Sequence, residues 1–338
     1  MAHMKSHEDI CVAIREHRNG PEIFEDQASW KLDENKKFLF ISDGSQYAGD
    51  IKDKLPHGRG IVKRACGDVY EGDLENGLPH GRGTEKCADD QSYEGIWENG
   101  QFHGRGILKT ANGDVYEGDW ENGETHGRGT LKCADGEVYE GDWKNRKRHG
   151  KGTAKFADGR VYEGYWENDD FYGSGIMKFA DGGVYEGDWE KGIPHGKGTI
   201  KFADGGAYEG EWESGKHHGR GMLKKADGRV YSGDWKNNEF HGKGTEKYRN
   251  GQSYEGNWQN GQFHGEGNLT TARGDVYEGD WEKGICHGKG TVKFVDGRVY
   301  AGHFVQNEFH GKGVMKYADG RVYEGDWVNG KPCGNGTI

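Results

Sequence analysis

Tyr116-Glu-Gly-Asp-Trp-Glu-Asn-Gly-Glu-Thr-His-Gly-Arg-Gly-Thr-Leu-Lys-Cys-Ala-Asp-Gly-Glu-Val138 is one period of a pattern that fills most of this chain. Its tyrosine recurs every 23 residues, at Tyr47, Tyr70, Tyr93, Tyr116, Tyr139, Tyr162, Tyr185, Tyr208, Tyr231, Tyr254, Tyr277, Tyr300 and Tyr323. A fixed period of this length marks a repeat array. It also weighs against an enzyme, because a catalytic site needs unlike residues converging on one point. Here the same residues are offered many times.

Numbered from Tyr as position 1, the repeat keeps Gly at positions 3, 12 and 14 in all thirteen copies and His at position 11 in eleven. Trp holds position 5 in ten copies, with Ile51, Leu74 and Phe304 in the others. Three interior glycines would each cost a helix about 1 kcal/mol against Ala. The spacing instead predicts two short strands, one over Val-Tyr-Glu-Gly-Asp-Trp and one over Gly-Thr-Leu-Lys-Phe. Asn-Gly-x-x-His-Gly is expected as a longer loop between them. A three-residue Ala-Asp-Gly loop with a left-handed Gly would set position 16 opposite the next Tyr, whereas a two-residue turn would place Lys there. Position 16 holds Leu108, Leu131, Met177, Ile200, Leu223, Val292 and Met315, so the three-residue loop is favoured. That register gathers Tyr, Trp and positions 16 and 18 on one face. Glu, Asp and the basic positions 13 and 17 fall on the other, and a one-residue slip would scramble both. The expected fold is all-β, an elongated single-layer array of antiparallel hairpins. Two strands per repeat give about 9.6 Å of advance, or roughly 120 Å for thirteen repeats.

The run from Tyr116 through Thr130 resembles the MORN (membrane occupation and recognition nexus) repeat. The likeness covers residues 47–338, nearly nine-tenths of the chain. It implies rows of β-hairpins that act as protein-binding scaffolds, often cytoskeletal or ciliary, some of them linked to phosphoinositides. Some relatives carry enzymes beside their repeats, so this chain could also be the repeat region of a larger enzyme.

Composition bounds the function. The formal charge is −11, which argues against nucleic acid, since counterion release needs a basic surface. No apolar run approaches a membrane-spanning length. The six cysteines share no regular spacing, which reads as reduced, cytosolic thiols. The chain is therefore expected in the cytoplasm, in association with cytoskeleton or membrane. Residues 1–46 are read as an N-terminal cap: a tag-like Met-Ala-His-Met, a short helix over His7–Arg18, and a half repeat at Leu39–Gln46 that covers the first sheet edge. The last repeat stops at Ile338 with no Lys, Pro or helix to blunt its edge. That invites pairing with a second copy, with Tyr323, Trp327 and Ile338 as candidate dimer contacts.

Four constellations were weighed. The eleven position-11 histidines lie about 10 Å apart on successive repeats, too far to share a zinc ion. They are expected to pack between loops and to bond backbone, so no metal and no cofactor is predicted. The Gly-x-Gly at positions 12–14 opens a strand rather than a helix, so it lacks the phosphate-binding mechanism. Its glycines are expected to let a ring lie on bare backbone. Exposed lysines at positions 13 and 17 (Lys151, Lys155, Lys197, Lys201, Lys243, Lys247) could form a ladder for anionic lipid heads, or could pair across strands with acidic neighbours. A single-layer sheet has nothing to cover its rings, so an aromatic groove is expected. Its candidate residues are Phe102, Tyr116, Trp120, Phe171, Tyr185, Trp189, Tyr208, Trp212, Phe240 and Phe263, with the position-10 phenylalanines as wall. No catalytic set emerges. The leading expectation is a non-enzymatic scaffold that binds a protein or peptide segment along this groove and self-associates as a homodimer. A peripheral binder of phosphoinositides through positions 13 and 17 is the alternative.

Overall fold

The computed structural model describes residues 31–33, 38–40 and 44–337. They form two compact bodies, Met1–Gly173 and Ser174–Ile338, each described by itself. Among the described residues all regular structure is β, and strands adjacent in sequence pair antiparallel.

In the N-terminal body one repeat illustrates the local logic. Strand Val115–Glu121 turns directly into strand Glu124–Lys132, with Glu121 opposite Glu124. Asn122 and Gly123 both lie in the left-handed region, at φ 50° and 75°. That is the two-residue turn whose twist matches a hairpin. The longer Asn-Gly-x-x-His-Gly loop expected from sequence is therefore corrected: positions 9 to 12 already belong to the second strand. Register holds through Trp120↔Thr125 and Asp119↔His126, then resumes at Gly118↔Gly129. Gly127 and Arg128 form a bulge, with Gly127 at φ 58°. The Asp119 carboxylate accepts the Arg128 backbone N–H at 3.0 Å. On its other edge the same strand runs in plain register, Arg128↔Asp142 and Gly129↔Gly141. Bulged on one side and regular on the other, each hairpin gains local bend and twist.

The second connection is as expected. Cys133 N–H donates to Glu137 O at 2.8 Å and Gly136 N–H to Cys133 O at 3.0 Å. This closes a three-residue Ala134-Asp135-Gly136 loop with Gly136 at φ 96°. Leu131 consequently stands opposite both Tyr116 and Tyr139. The C-terminal body repeats these features, with Leu223 opposite Tyr208 and Tyr231.

Repeats are also clipped together end to end. The turn of one repeat donates to the position-10 carbonyl of the repeat before it, as in Gly123 N–H to Phe102 O at 2.9 Å. Each Trp indole N–H reaches back to the position-14 carbonyl of the preceding repeat, as in Trp143 to Gly129 O at 3.2 Å. At the start, strand Phe38–Phe40 pairs with Gln46–Lys52 and sets Leu39 opposite Tyr47. A further strand, Lys31–Asp33, pairs beyond it and was not anticipated. The helix expected before residue 19 lies outside the described residues.

Candidate functional site

The ring face is closed by its own packing. In eleven repeats the Tyr ring lies against the glycines of its hairpin. A Cβ at Gly106 would fall 2.2 Å from the Tyr93 hydroxyl oxygen, and one at Gly221 would fall 2.4 Å from that of Tyr208. The phenol then donates to the carbonyl three residues on, as in Tyr116 to Asp119 O at 3.0 Å. This is the bare-backbone role expected of the glycines. Burial pushes the Tyr47 phenol up to about 12, with Asp50 adding to it. It raises the phenols of Tyr93, Tyr116, Tyr208 and Tyr254 further still.

Tyr and Trp then alternate edge to face. Tyr116 meets Trp120 at 5.0 Å and Trp143 at 5.3 Å, with interplanar angles of 83° and 90°. In the C-terminal body Tyr185 and Tyr208 meet Trp212 in the same way. Such pairs contribute about 0.5–1.5 kcal/mol each beyond area burial. Of the expected groove residues, Tyr116, Trp120, Tyr185, Trp189, Tyr208, Trp212, Phe102 and Phe171 are buried. Phe240 and Phe263 are half-buried. Position 10 does not stand beside the loops as a wall. It is directly across from Trp and stacked on Tyr, with Phe240 3.7 Å from Tyr231 at 6°.

Sequence reading missed the polar residues placed inside this ladder. Arg148 occupies position 10 and is only 4% exposed. Its guanidinium lies 4.4 Å over the Trp166 ring and pairs with Glu137 at 3.0 Å and Asp169 at 3.6 Å. His217 holds the same place on Tyr208, 3.6 Å away and nearly parallel, and burial lowers its imidazole to about 4. Glu85 and Glu246 fill apolar position 16, the first paired with Arg64, the second with Arg229 at 3.6 Å and the Tyr248 hydroxyl at 2.7 Å. Each was visible as a departure from its column.

Six of the position-11 histidines meet a carboxylate of their own repeat. His103 pairs with Glu98 at 3.2 Å, His126 with Glu121 at 3.3 Å and His218 with Glu213 at 3.1 Å, each across its own turn. No group of three or more His, Cys, Asp or Glu able to hold a metal occurs among the described residues. The five described cysteines are free thiols, and burial pushes Cys87 and Cys133 up to about 12 and Cys286 to about 11. No described helix is long and apolar enough to cross a membrane. Tyr323 and Trp327 are buried in their own repeat, and Ile338 lies outside the described residues.

The open surface is on the opposite, charged face. In the C-terminal body it forms a groove of about 1400 Å³. Gly244, Gly256, Gly267, Gly279, Gly290 and Gly302 contribute to its floor, and Lys243, Glu255, Glu266, Glu278, Asp280, Lys289 and His303 to its lining, with Thr245, Asn268 and Thr291 between. Lys243, Lys247, Lys197 and Lys201 are exposed on this body, and Lys151 and Lys155 on the other. Cross-strand pairing of position 13 is present at three of its arginines: Arg105 to Asp119 at 3.6 Å, Arg128 to Asp142 at 3.4 Å and Arg220 to Asp234 at 3.7 Å.

A glycine-floored hairpin, a Tyr–Trp ladder and a bulge capped by Asp define a β-hairpin repeat protein. The chain belongs to the MORN repeat family, whose pattern matches thirteen segments from residues 47–65 through 323–338. No curated protein matches it. Among solved structures, the TCP10 domain of Danio rerio CPAP overlaps 58% of this chain and 93% of its own length, at 14% identity and a TM-score of 0.32. That domain in complex with a peptide of Danio rerio STIL overlaps 72% and 92%, at 12% identity and a TM-score of 0.28. Virginiamycin B lyase from Staphylococcus aureus overlaps 89% and 96%, at 10% identity and a TM-score of 0.14. Overlaps this weak transfer nothing to this chain.

Proposed function

We propose that the protein is a non-enzymatic scaffold that holds a segment of another protein in the charged groove of its C-terminal body. The observation that carries the reading is the groove itself. Four consecutive repeats line it, from Ser232 to His303, a length suited to an extended segment rather than a small metabolite. Its floor is bare backbone, because the glycines there direct their Cβ positions towards the ring face, and polar side chains rim it. The reading places docking on the face opposite the rings first expected to carry it, because those rings are taken up by packing.

The test is selection of displayed peptides on the full chain, followed by binding to the double variant Thr245→Trp, Thr291→Trp. Position 15 holds Ile107, Met222 and Val314 in other repeats, so bulk there is compatible with the fold. Peptides that bind the native chain and not the variant support the reading. Equal binding to both, or no enriched sequence, overturns it.

A second reading is favoured by the exposure of Lys151, Lys155, Lys197, Lys201, Lys243 and Lys247, which could attract anionic lipid heads. Vesicles with and without phosphoinositide, titrated with salt, separate it from groove docking, because attraction between exposed charges is screened. Self-association through the last repeats is a separate proposal. With Tyr323 and Trp327 buried, it would rest on strand pairing rather than ring contact, and sedimentation of the full chain tests it.

A further inference from the structure

The position-4 Asp divides its carboxylate in a regular way. Oδ2 accepts the bulge N–H of its own repeat. Oδ1 faces the position-13 residue of the preceding repeat, which stands directly opposite in register. At Asp234, Oδ2 accepts from Lys243 N–H at 3.0 Å and Oδ1 takes the Arg220 Nε at 3.7 Å. Opposite charges face each other in this way at Arg59–Asp73, Arg105–Asp119, Arg128–Asp142 and Arg220–Asp234, whereas Arg82 faces Ile96 and Lys151 faces Tyr165.

In the groove this pattern breaks at three consecutive junctions. Lys243 stands opposite Asn257, Glu266 opposite Asp280, and Lys289 opposite His303. The flanking junctions are of opposite charge, Arg220 with Asp234 and Lys312 with Asp326. Asp280 still caps its bulge, accepting Lys289 N–H at 2.8 Å. Across from it, however, is a second carboxylate, and like charges directly opposite are destabilising. Glu255 and Glu278 line the groove beside this pair. The central junction therefore presents the acceptor set that elsewhere receives an arginine of the chain itself. The junctions on either side present lysines whose directly opposite residues, Asn257 and His303, are not acids.

We propose that the groove selects a partner segment carrying an arginine between two acidic residues. The arginine docks on Glu266 and Asp280, and the acids dock on Lys243 and Lys289. The proposal rests on the groove reading above and names its specificity. Spacing fixes the conformation. Successive junctions are two strands apart, about 9.6 Å. A polyproline II segment places every third residue on one side with an advance of about 9.3 Å. A fully extended strand would send every third side chain to the opposite side. The segment is therefore of the form acidic-x-x-Arg-x-x-acidic, in a three-residue-per-turn conformation.

Two labelled probes test this against the full chain by fluorescence anisotropy: Glu-Pro-Pro-Arg-Pro-Pro-Glu and its inverse, Arg-Pro-Pro-Glu-Pro-Pro-Arg. The first is expected to bind at least tenfold more tightly than the second. Glu266→Lys restores the basic residue that ten of the thirteen repeats carry at position 13, so the fold should persist, checked by circular dichroism. Binding of the first probe should fall at least tenfold. Equal binding of both probes, or undiminished binding to Glu266→Lys, overturns the proposal. Tighter binding of a probe with the same charges seven residues apart in a helix would overturn the conformation assigned to the segment. If peptides bind and the Thr245→Trp, Thr291→Trp variant abolishes them while Glu266→Lys does not, the groove reading stands and this anchor falls. If none of these substitutions matters, both fall.

Discussion

The phenol of Tyr116 lies directly over Gly129, where a Cβ would fall 2.3 Å from the hydroxyl oxygen and 2.5 Å from Cζ. That relationship recurs in ten other repeats, and it ties two invariant columns together by sterics alone. Gly129→Ala must expel the ring from its place between Trp120 and Trp143, so we expect a loss of about 3–5 kcal/mol, the range for a lost core aromatic. Tyr116→Phe keeps the ring and removes only the bond to Asp119 O, for about 1 kcal/mol. Chemical denaturation of the two variants checks the order. A Gly129→Ala chain as stable as Tyr116→Phe would mean that the ring does not need bare backbone.

Arg148 offers a different kind of test. It is buried among aromatic rings and held by Glu137 and Asp169. Arg148→Ala removes the stacking and leaves two carboxylates facing each other's field, at an expected cost of about 3–5 kcal/mol. Arg148→Phe supplies the residue that position 10 carries in five other repeats. It should recover the stacking part of that loss only, because Glu137 and Asp169 keep their charges without a counter-ion. Thermal unfolding of both variants is the measurement, and equal destabilisation would count against the packing account.

How much of this was legible beforehand follows from what each column encodes. Leu131 opposite Tyr139 could be read from the Ala-Asp-Gly chemistry, because turn type and face alternation admit one common register. The hairpin over Asn122-Gly123 was misjudged because His126-Gly127-Arg128-Gly129 looked like loop composition. Those glycines are there for the Tyr116 ring and for a left-handed bulge residue, both inside the strand. Phe240 was placed beside a loop because its partner across the turn, Trp235, becomes visible only once the turn is two residues long. The groove could not be read from any column, since it depends on how several repeats curve together. Glu266, by contrast, was in plain sight as the one acidic residue at position 13. Its meaning needed Asp280 opposite.

Alkaline stability is set by the phenols. In the folded chain burial raises Tyr47 and Tyr300 to about 12, and the ladder tyrosines from Tyr70 through Tyr277 beyond that. Their unfolded value is near 10. Because the folded value is the higher one, the stabilisation is fully present below pH 10 and is lost as pH rises from there through the folded values. With so many equivalent groups the loss should be steep. Phenolate absorbance and circular dichroism, recorded together above pH 10, should change in one transition. Phenolate appearing well before the sheet signal falls would show the rings to be accessible in the folded state.

On the acid side the informative residue is His217, stacked on Tyr208 and lowered to about 4 by burial. The unfolded value is near 6.5, so the unfolded chain takes up the proton first. The stability contribution is present above pH 6.5 and is lost as pH falls towards 4. By pH 5 the loss amounts to about 2 kcal/mol. His217→Phe reproduces the Phe240–Tyr231 stack of the next repeat and carries no proton. The variant should match or exceed the native chain at pH 7.5, and the gap should widen to about 2 kcal/mol at pH 5. Parallel denaturation curves at the two pH values decide the matter. A gap that stays constant with pH would place the acid sensitivity elsewhere.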